Sequence, residues 1–238
     1  MSRVSLVSGL IIDATQGITP NVHLISVDEK SGIQALERLK GTAPKSKGFG
    51  GLIEHEYKRN GTTCLIGATN VGTGKVINAL LNETRTEEDF LGFTIQTVAG
   101  LPITDKIIFL ADQLNIHKSA SLVKWVANEI GFEGDLGEKG VSGILKNMIS
   151  RQAFLEDEQH RIRFVFTPKH CSWLNPIENW FAKLQRHIIT GGSFCSVEQL
   201  EHDIRAYIEF YNRCLVKPLK WKFKGFDKGK KLKNINCR

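Results

Sequence analysis

Ile107-Ile108-Phe109-Leu110-Ala111-Asp112 is an unbroken apolar run closed by a carboxylate. A run this short, rich in branched and aromatic side chains, reads as a strand buried on both faces. Such a strand belongs to a sheet with helices packed on each side. The carboxyl ends of neighbouring strands then meet at one edge, where α/β folds place their ligands. Asp112 stands at that edge.

A second apolar stretch, Val22-His23-Leu24-Ile25-Ser26-Val27, also ends in an acid, Asp28. A third acid, Glu178, lies in the first turn of a helix that opens with Asn175-Pro176. Acids gathered at one sheet edge repel each other unless a cation lies between them. Divalent metal held by carboxylates suits phosphoryl chemistry. Each acid also has a plainer reading. An Asp at a strand end is often a turn residue or a cap. With Asn175 at the N-cap and Pro176 at the first helical position, Glu178 falls where a Glu completes a capping box.

The rest of the pattern frames these acids. Residues 1–20 are weakly patterned and end at Pro20. Residues 32–39 look extended, and 40–51 form a loop rich in Gly, Lys and Ser. Residues 54–59 and 62–69 flank Asn60-Gly61, which predicts a hairpin with a tight turn. Gly72-Thr73-Gly74-Lys75 resembles a phosphate loop only superficially. Thr69 stands where the first Gly is needed and Val76 where a Ser or Thr is needed, so a turn between strands is expected. Thr86 caps a helix reaching about Val98, and residues 119–130 form another. Residues 131–160 read as an insertion or lid, 162–167 as a strand, and 175–189 and 196–211 as helices. The fold class is therefore α/β, a mixed sheet flanked by helices.

The chain has 238 residues, with hydrophobic and charged fractions of 41% and 24% that are ordinary for a globular protein. No apolar run is long enough for a membrane-spanning helix, and the first residues faintly resemble a signal peptide but are interrupted by Asp13 without a clear small-residue cleavage pattern, so they read as non-targeting. The five cysteines are odd in number and contain no Cys-x-x-Cys, which argues for reduced thiols in a cytoplasmic protein and against a disulfide framework or structural zinc. Net charge is +7, and it is concentrated at the end of the chain. From Lys217 onward, eight Lys and one Arg face a single acid, Asp227. A basic tail on a nearly neutral body fits either a phosphate-backbone contact or a solvated tail. Trp221, Phe223 and Phe226 between those lysines read first as anchors that dock the tail on the body.

The neighbours of the three acids carry a resemblance. Residues 26–32 (SVDEKSG), 111–119 (ADQLNIHKS) and 166–181 (FTPKHCSWLNPIENWF) are similar to the three acidic motifs of mariner-type bacterial insertion-sequence transposases. Residues 56–63 (EYKRNGTT) resemble a connecting block of that family. The similarity runs over roughly residues 22–223. It implies a ribonuclease-H-like sheet and a DDE superfamily endonuclease, with Asp28, Asp112 and Glu178 as the catalytic and metal-binding acids. Two Mg²⁺ ions are implied, with Mn²⁺ as a substitute. So are double-stranded DNA partners (terminal inverted repeats and target DNA), a homodimer on DNA, and a nucleoid-associated location in a bacterial cytoplasm.

Two departures from the family pattern stand out. The 65 residues between Asp112 and Glu178 exceed the family's usual spacing, which would land near Asn147 and Met148, neither an acid. The excess is assigned to the insertion at 131–160, with Glu156, Asp157 and Glu158 as fallback third acids. The family normally carries an N-terminal helix-turn-helix, and residues 1–21 are too short for one. The expected organisation is a short remnant at 1–21, a catalytic domain at 22–215 and a basic tail at 216–238. Candidate DNA contacts are His117, Lys118, Lys169, Lys228, Lys230 and Lys231. His117 has an equal claim to ordering the turn after its strand. Glu29 should point away from Asp28 by strand alternation and is placed outside the metal site. Alternatives to a transposase are another nuclease of the same fold or a catalytically idle DNA-binding remnant.

Overall fold

The computed structural model describes residues 2–39 and 56–223. Along the chain they form α1 (Arg3–Gln16), β1 (Val22–Arg38), β2 (Tyr57–Asn70), β3 (Val76–Asn82), α2 (Glu87–Ala99), β4 (Lys106–Ala111), α3 (Ala120–Glu129), α4 (Met148–Leu155), β5 (Ile162–Phe166), α5 (Ile177–Leu184) and α6 (Val197–Phe210). The strands make one sheet in the order β3-β2-β1-β4-β5. β2 runs antiparallel to both of its neighbours, β1 and β3. β4 and β5 run parallel to β1.

Strand alternation sorts the core into layers. Ile25, Val27, Phe109 and Phe164 go to one face, under α2 and α3. Leu24, Leu110 and Val165 go to the other, under α1. Beyond them, α5 and α6 cover Ile33 and Leu65 with Trp180, Phe181, Leu200 and Ile204. Both faces of the sheet are thus roofed, which is why β4 and β5 are buried along almost their whole length. Thr86 caps α2 as expected: its hydroxyl accepts from the Asp89 N–H, and the Asp89 carboxylate accepts from the Thr86 N–H.

Three expectations are corrected. Residues 1–20 are not weakly structured. They hold α1, which buries Val7 and Ile11 completely against the sheet and ends at Gly17 in the left-handed conformation. Residues 22–39 are not two short segments but one long strand, β1, bent where Gly32 takes φ +66° and the pairing register slips between Lys30 and Ile33. Asn60-Gly61 is not a hairpin turn. β2 runs straight through it, and the register shift between Gln34 and Leu36 marks a second bulge opposite Ala35. Asn60 leaves the ladder to donate to Glu37 and to the Phe194 carbonyl, each at 3.0 Å. The same positive φ that suits a type I′ turn also suits a bulge, and Gly61 supplies it with φ +125°.

The turn at Gly72-Thr73-Gly74 does join two strands, as expected. The long segment before β5 is laid down as cover. Leu145, Phe154 and Leu155 are buried in the core beneath α3, and Phe154 packs edge-on to Phe132 at 5.2 Å.

Candidate active site

Leu110 of β4 lies beside Ser26 of β1 in the parallel ladder. Two residues further along each chain stand Asp112 and Asp28. The register carries both acids to one level, and alternation carries them to one face. Glu178 joins them from the first turn of α5.

The start of α5 is fastened directly onto β1. The Ser26 hydroxyl accepts from the Ile177 N–H at 2.9 Å, and it donates in a short bond to Asn175 Oδ1. Asn175 Nδ2 donates to the Val27 carbonyl at 2.9 Å and to Asp28 Oδ2 at 3.0 Å. Asn175 is 1% exposed. This corrects its reading as the helix cap: its side chain is spent on β1, and the hydroxyl of Ser26 caps the helix from another element. Glu178 completes no capping box. Its side chain is exposed and has no hydrogen-bond partner among the described residues.

Asp28 is 8% exposed. Its Oδ1 accepts from the Glu29 N–H at 2.8 Å. Burial pushes its carboxyl pKa up to about 7; the backbone hydrogen bond opposes this, and the negative charges of Asp112, Glu29 and Glu178 add to it. Those three acids are the charges that act on Asp28 most strongly. None of the fallback acids is among them. Glu156 is paired with Arg3, Glu158 with Arg163, and Asp157 accepts from the Gln159 N–H.

Asp112 is held differently. Its Oδ1 accepts from the Leu114 N–H at 2.8 Å and pairs with His117 Nδ1 at 2.9 Å. Oδ2 is left without a partner among the described residues. Burial alone would raise its pKa, but these bonds and the charges of His117 and Lys118 bring it below the usual value. His117 has no exposed surface. Its other nitrogen, Nε2, meets Glu29 Oε1 at 2.7 Å. Burial works against the imidazolium, yet two carboxylates outweigh it and raise the pKa to about 9. At neutral pH both ring nitrogens therefore donate. Glu29 does lie on the opposite face from Asp28, as alternation requires. It reaches Asp112 through His117, a link that strand periodicity alone does not disclose.

The candidate DNA contacts separate into three groups. His117 is sealed inside and orders the turn after β4. Lys118 is 6% exposed, and its Nζ donates to Gln113 Oε1 at 2.8 Å while lying 5.3 Å from the Phe166 ring centre. Lys169 is exposed in the loop between β5 and α5, beside His170, which takes φ +60°. Lys228, Lys230 and Lys231 lie outside the described residues. Trp221 and Phe223 dock on the body as expected, packed with the α1 cluster. Phe223 meets the half-exposed Trp173 edge-on at 5.2 Å, while Phe226 lies outside the described residues.

The donor set fits a hard divalent cation: oxygen ligands only, with excess negative charge and one buried member. Among the described residues no three acidic, His or Cys side chains already stand in ligand geometry. Asp28 is turned toward Asn175 and the Glu29 N–H, so a metal would have to draw its oxygens outward.

Comparison with known proteins bears on the fold and the family. The fold is similar to that of a pre-cleavage Mos1 transpososome (TM-score 0.55, 13% identity, covering 89% of this chain and 57% of that one). It is also similar to the Mos1 mariner paired-end complex with Mn (0.54, 14%, 89% and 56%). A third similar structure is the Mos1 transposase catalytic domain with Raltegravir and Mn (0.51, 12%, 89% and 84%). At these identities the likeness shows the fold, a ribonuclease-H-like sheet. The chain spans little more than half the length of the first two. Comparison with curated proteins gives no match. Among the described residues no helix is long and apolar enough to cross a membrane. The model of one family, DDE superfamily endonuclease, matches residues 23–201, a stretch that takes in all three acids and most of the chain, and to that family the chain belongs.

Proposed function

We propose that this chain is a DNA transposase catalytic domain, cleaving phosphodiester bonds at transposon ends and joining those ends to target DNA. Asp28, Asp112 and Glu178 are the catalytic acids. They would hold two Mg²⁺ ions, or Mn²⁺ in their place. Bound there, divalent cations lower the pKa of water and stabilise charge building on phosphodiester oxygens. The DNA partners are the terminal repeats and the target duplex, with a second copy of the chain on the same DNA.

The chain's own residues supply order. Asn175 holds Asp28 near one orientation, and His117 holds Asp112 by Oδ1 alone, leaving Oδ2 to face outward. Ser26 fixes the first turn of α5 and with it the position of Glu178. Such prior fixing removes reorganisation from the reaction step. Exposed Lys169, on the loop leading to Glu178, is available to a phosphate.

The observation that carries this reading is Asp28: a nearly buried carboxyl whose strongest charged neighbours are all carboxylates. The test is nicking of duplex DNA by the intact chain with Mg²⁺ or Mn²⁺. Asp28→Asn, Asp112→Asn and Glu178→Gln should each reduce it at least about a hundredfold, in line with the loss of a main electrostatic catalyst. Nicking that survives Asp28→Asn overturns the reading.

A further inference from the structure

Between the turn after β2, the start of α5 and residues 217–220 lies a cavity of about 170 Å³. Lys183, Lys217 and Lys220 line it with Asn70, Asn179 and Trp180, and no acidic side chain does. None of the three lysines forms an ion pair among the described residues. Lys183 Nζ lies 5.3 Å from the centre of the Tyr211 ring, which attracts the charge without neutralising it.

Trp180, one of the lining residues, also carries an unused donor. Trp180 is 3% exposed, and its Nε1 is buried with no hydrogen-bond partner among the described residues. A buried N–H without an acceptor is unfavourable by roughly 1–3 kcal/mol. Unpaired ammonium groups around one space add mutual repulsion. An oxyanion in the cavity would offset that repulsion.

The cavity adjoins the three acids. Thr69, one of its lining residues, pairs with Ser26, two residues before Asp28 on β1. Pro176, another, stands two residues before Glu178. At about 3.4 Å per strand residue, the cavity begins roughly 7 Å below the level of Asp28.

We propose that this cavity binds a backbone phosphate of the same DNA strand whose scissile bond meets Asp28, Asp112 and Glu178. The proposal rests on the phosphodiester-cleaving reading above. It gives an acidic site a neighbouring cationic hold on a polyanion, in place before any metal arrives.

The test uses the intact chain without metal. DNA affinity is measured by fluorescence anisotropy against salt for three proteins. These are the wild type, the triple variant Lys183→Gln, Lys217→Gln, Lys220→Gln, and a control triple, Lys124→Gln, Lys139→Gln, Lys146→Gln, with the same charge change far from the cavity. The cavity triple should bind about tenfold or more weakly and lose roughly one unit of salt slope. Replacement of the same three lysines by arginine should retain binding. The indole N–H resonance of Trp180 should move on adding duplex DNA. Equal weakening by both triples, or DNA binding that leaves the Trp180 resonance in place, overturns the proposal. Inorganic phosphate separates the sources. A Trp180 shift with phosphate in a chain that binds no DNA rejects the DNA assignment and the transposase reading while locating a free-phosphate site.

Discussion

Asn175 Nδ2 lies 3.0 Å from Asp28 Oδ2, closing a loop of 147 residues with one hydrogen bond. The same amide also serves the Val27 carbonyl, so Asn175 holds both the backbone and the side chain of the strand that carries the first acid. Asn175→Ala leaves the Val27 carbonyl and the Ser26 hydroxyl short of partners. The expected loss is about 1–3 kcal/mol of stability, read from urea unfolding. Metal-dependent nicking should fall more than global stability explains, because Asp28 gains rotational freedom. A variant with normal nicking per folded molecule refutes the positioning role.

His117 sits between Glu29 and Asp112 with no exposed surface. Breaking a buried ion pair by removing one partner costs about 3–5 kcal/mol. His117→Gln should therefore destabilise strongly by leaving the Glu29 carboxylate buried without a cation. The double variant His117→Gln, Glu29→Gln should recover part of that loss, since two amides can bond to each other. A double-mutant cycle measures the coupling, and strict additivity contradicts the pairing.

The pH dependence around neutrality follows from Asp28 and His117, both of whose pKa values are raised. Asp28 holds a proton up to about pH 7 in the folded chain, whereas an unfolded Asp releases it near about 3.9. The folded state then binds more protons in that window, so metal-free stability falls as pH rises through it. His117, raised to about 9 from an unfolded value of about 6.5, stabilises fully below the lower value. That contribution disappears as pH climbs through the higher one. Asp28→Asn should flatten the acidic slope in melting temperature and leave the alkaline one.

Divalent metal should act in the opposite sense to that acidic slope. It favours the ionised carboxyl of Asp28, so Mg²⁺ or Mn²⁺ should raise the melting temperature more at pH 8 than at pH 5. Chelator should reverse the rise, and Asp28→Asn or Asp112→Asn should remove most of it. A metal-induced shift equal in wild type and Asp28→Asn would place the ion elsewhere.

Gly61 takes φ +125°, and a Cβ there would meet Val197 Cγ2 at 2.7 Å. Gly61→Ala should destabilise by about 1–3 kcal/mol through backbone strain and this contact. Val197→Ala in the same chain should relieve only the contact. If Gly61→Ala is neutral, the bulge at this point is misplaced.

The sequence disclosed some of this fold and concealed the rest, for physical reasons. β4 and β5 were legible because a strand buried on both faces needs an unbroken apolar run, and α2 because Thr86 and Asp89 cap it through neighbouring residues. Asn60-Gly61 misled because its dihedral preference serves a turn and a bulge alike; what decides between them is β1 and Val197, both distant in sequence. The helix α1 was hidden by modest patterning in a short segment whose burial depends on the sheet beneath it. Of the site, the acids stood out through their flanking residues. Ser26, Asn175 and Glu29 did not, since a Ser in a strand, an Asn before a Pro and an outward-alternating Glu all have ordinary local explanations. Their roles exist only across the space between β1, α5 and the turn after β4.

The fastening of α5 to β1 makes the separation of the second and third acids along the chain mechanically irrelevant. Glu178 takes its place from Ser26 and Asn175, not from the length of polypeptide that leads to it. The exposed stretches of residues 131–160, away from buried Leu145, Phe154 and Leu155, can therefore lengthen or acquire new surface features while the spacing of the three acids stays in tune, like a watch strap resized without touching the movement.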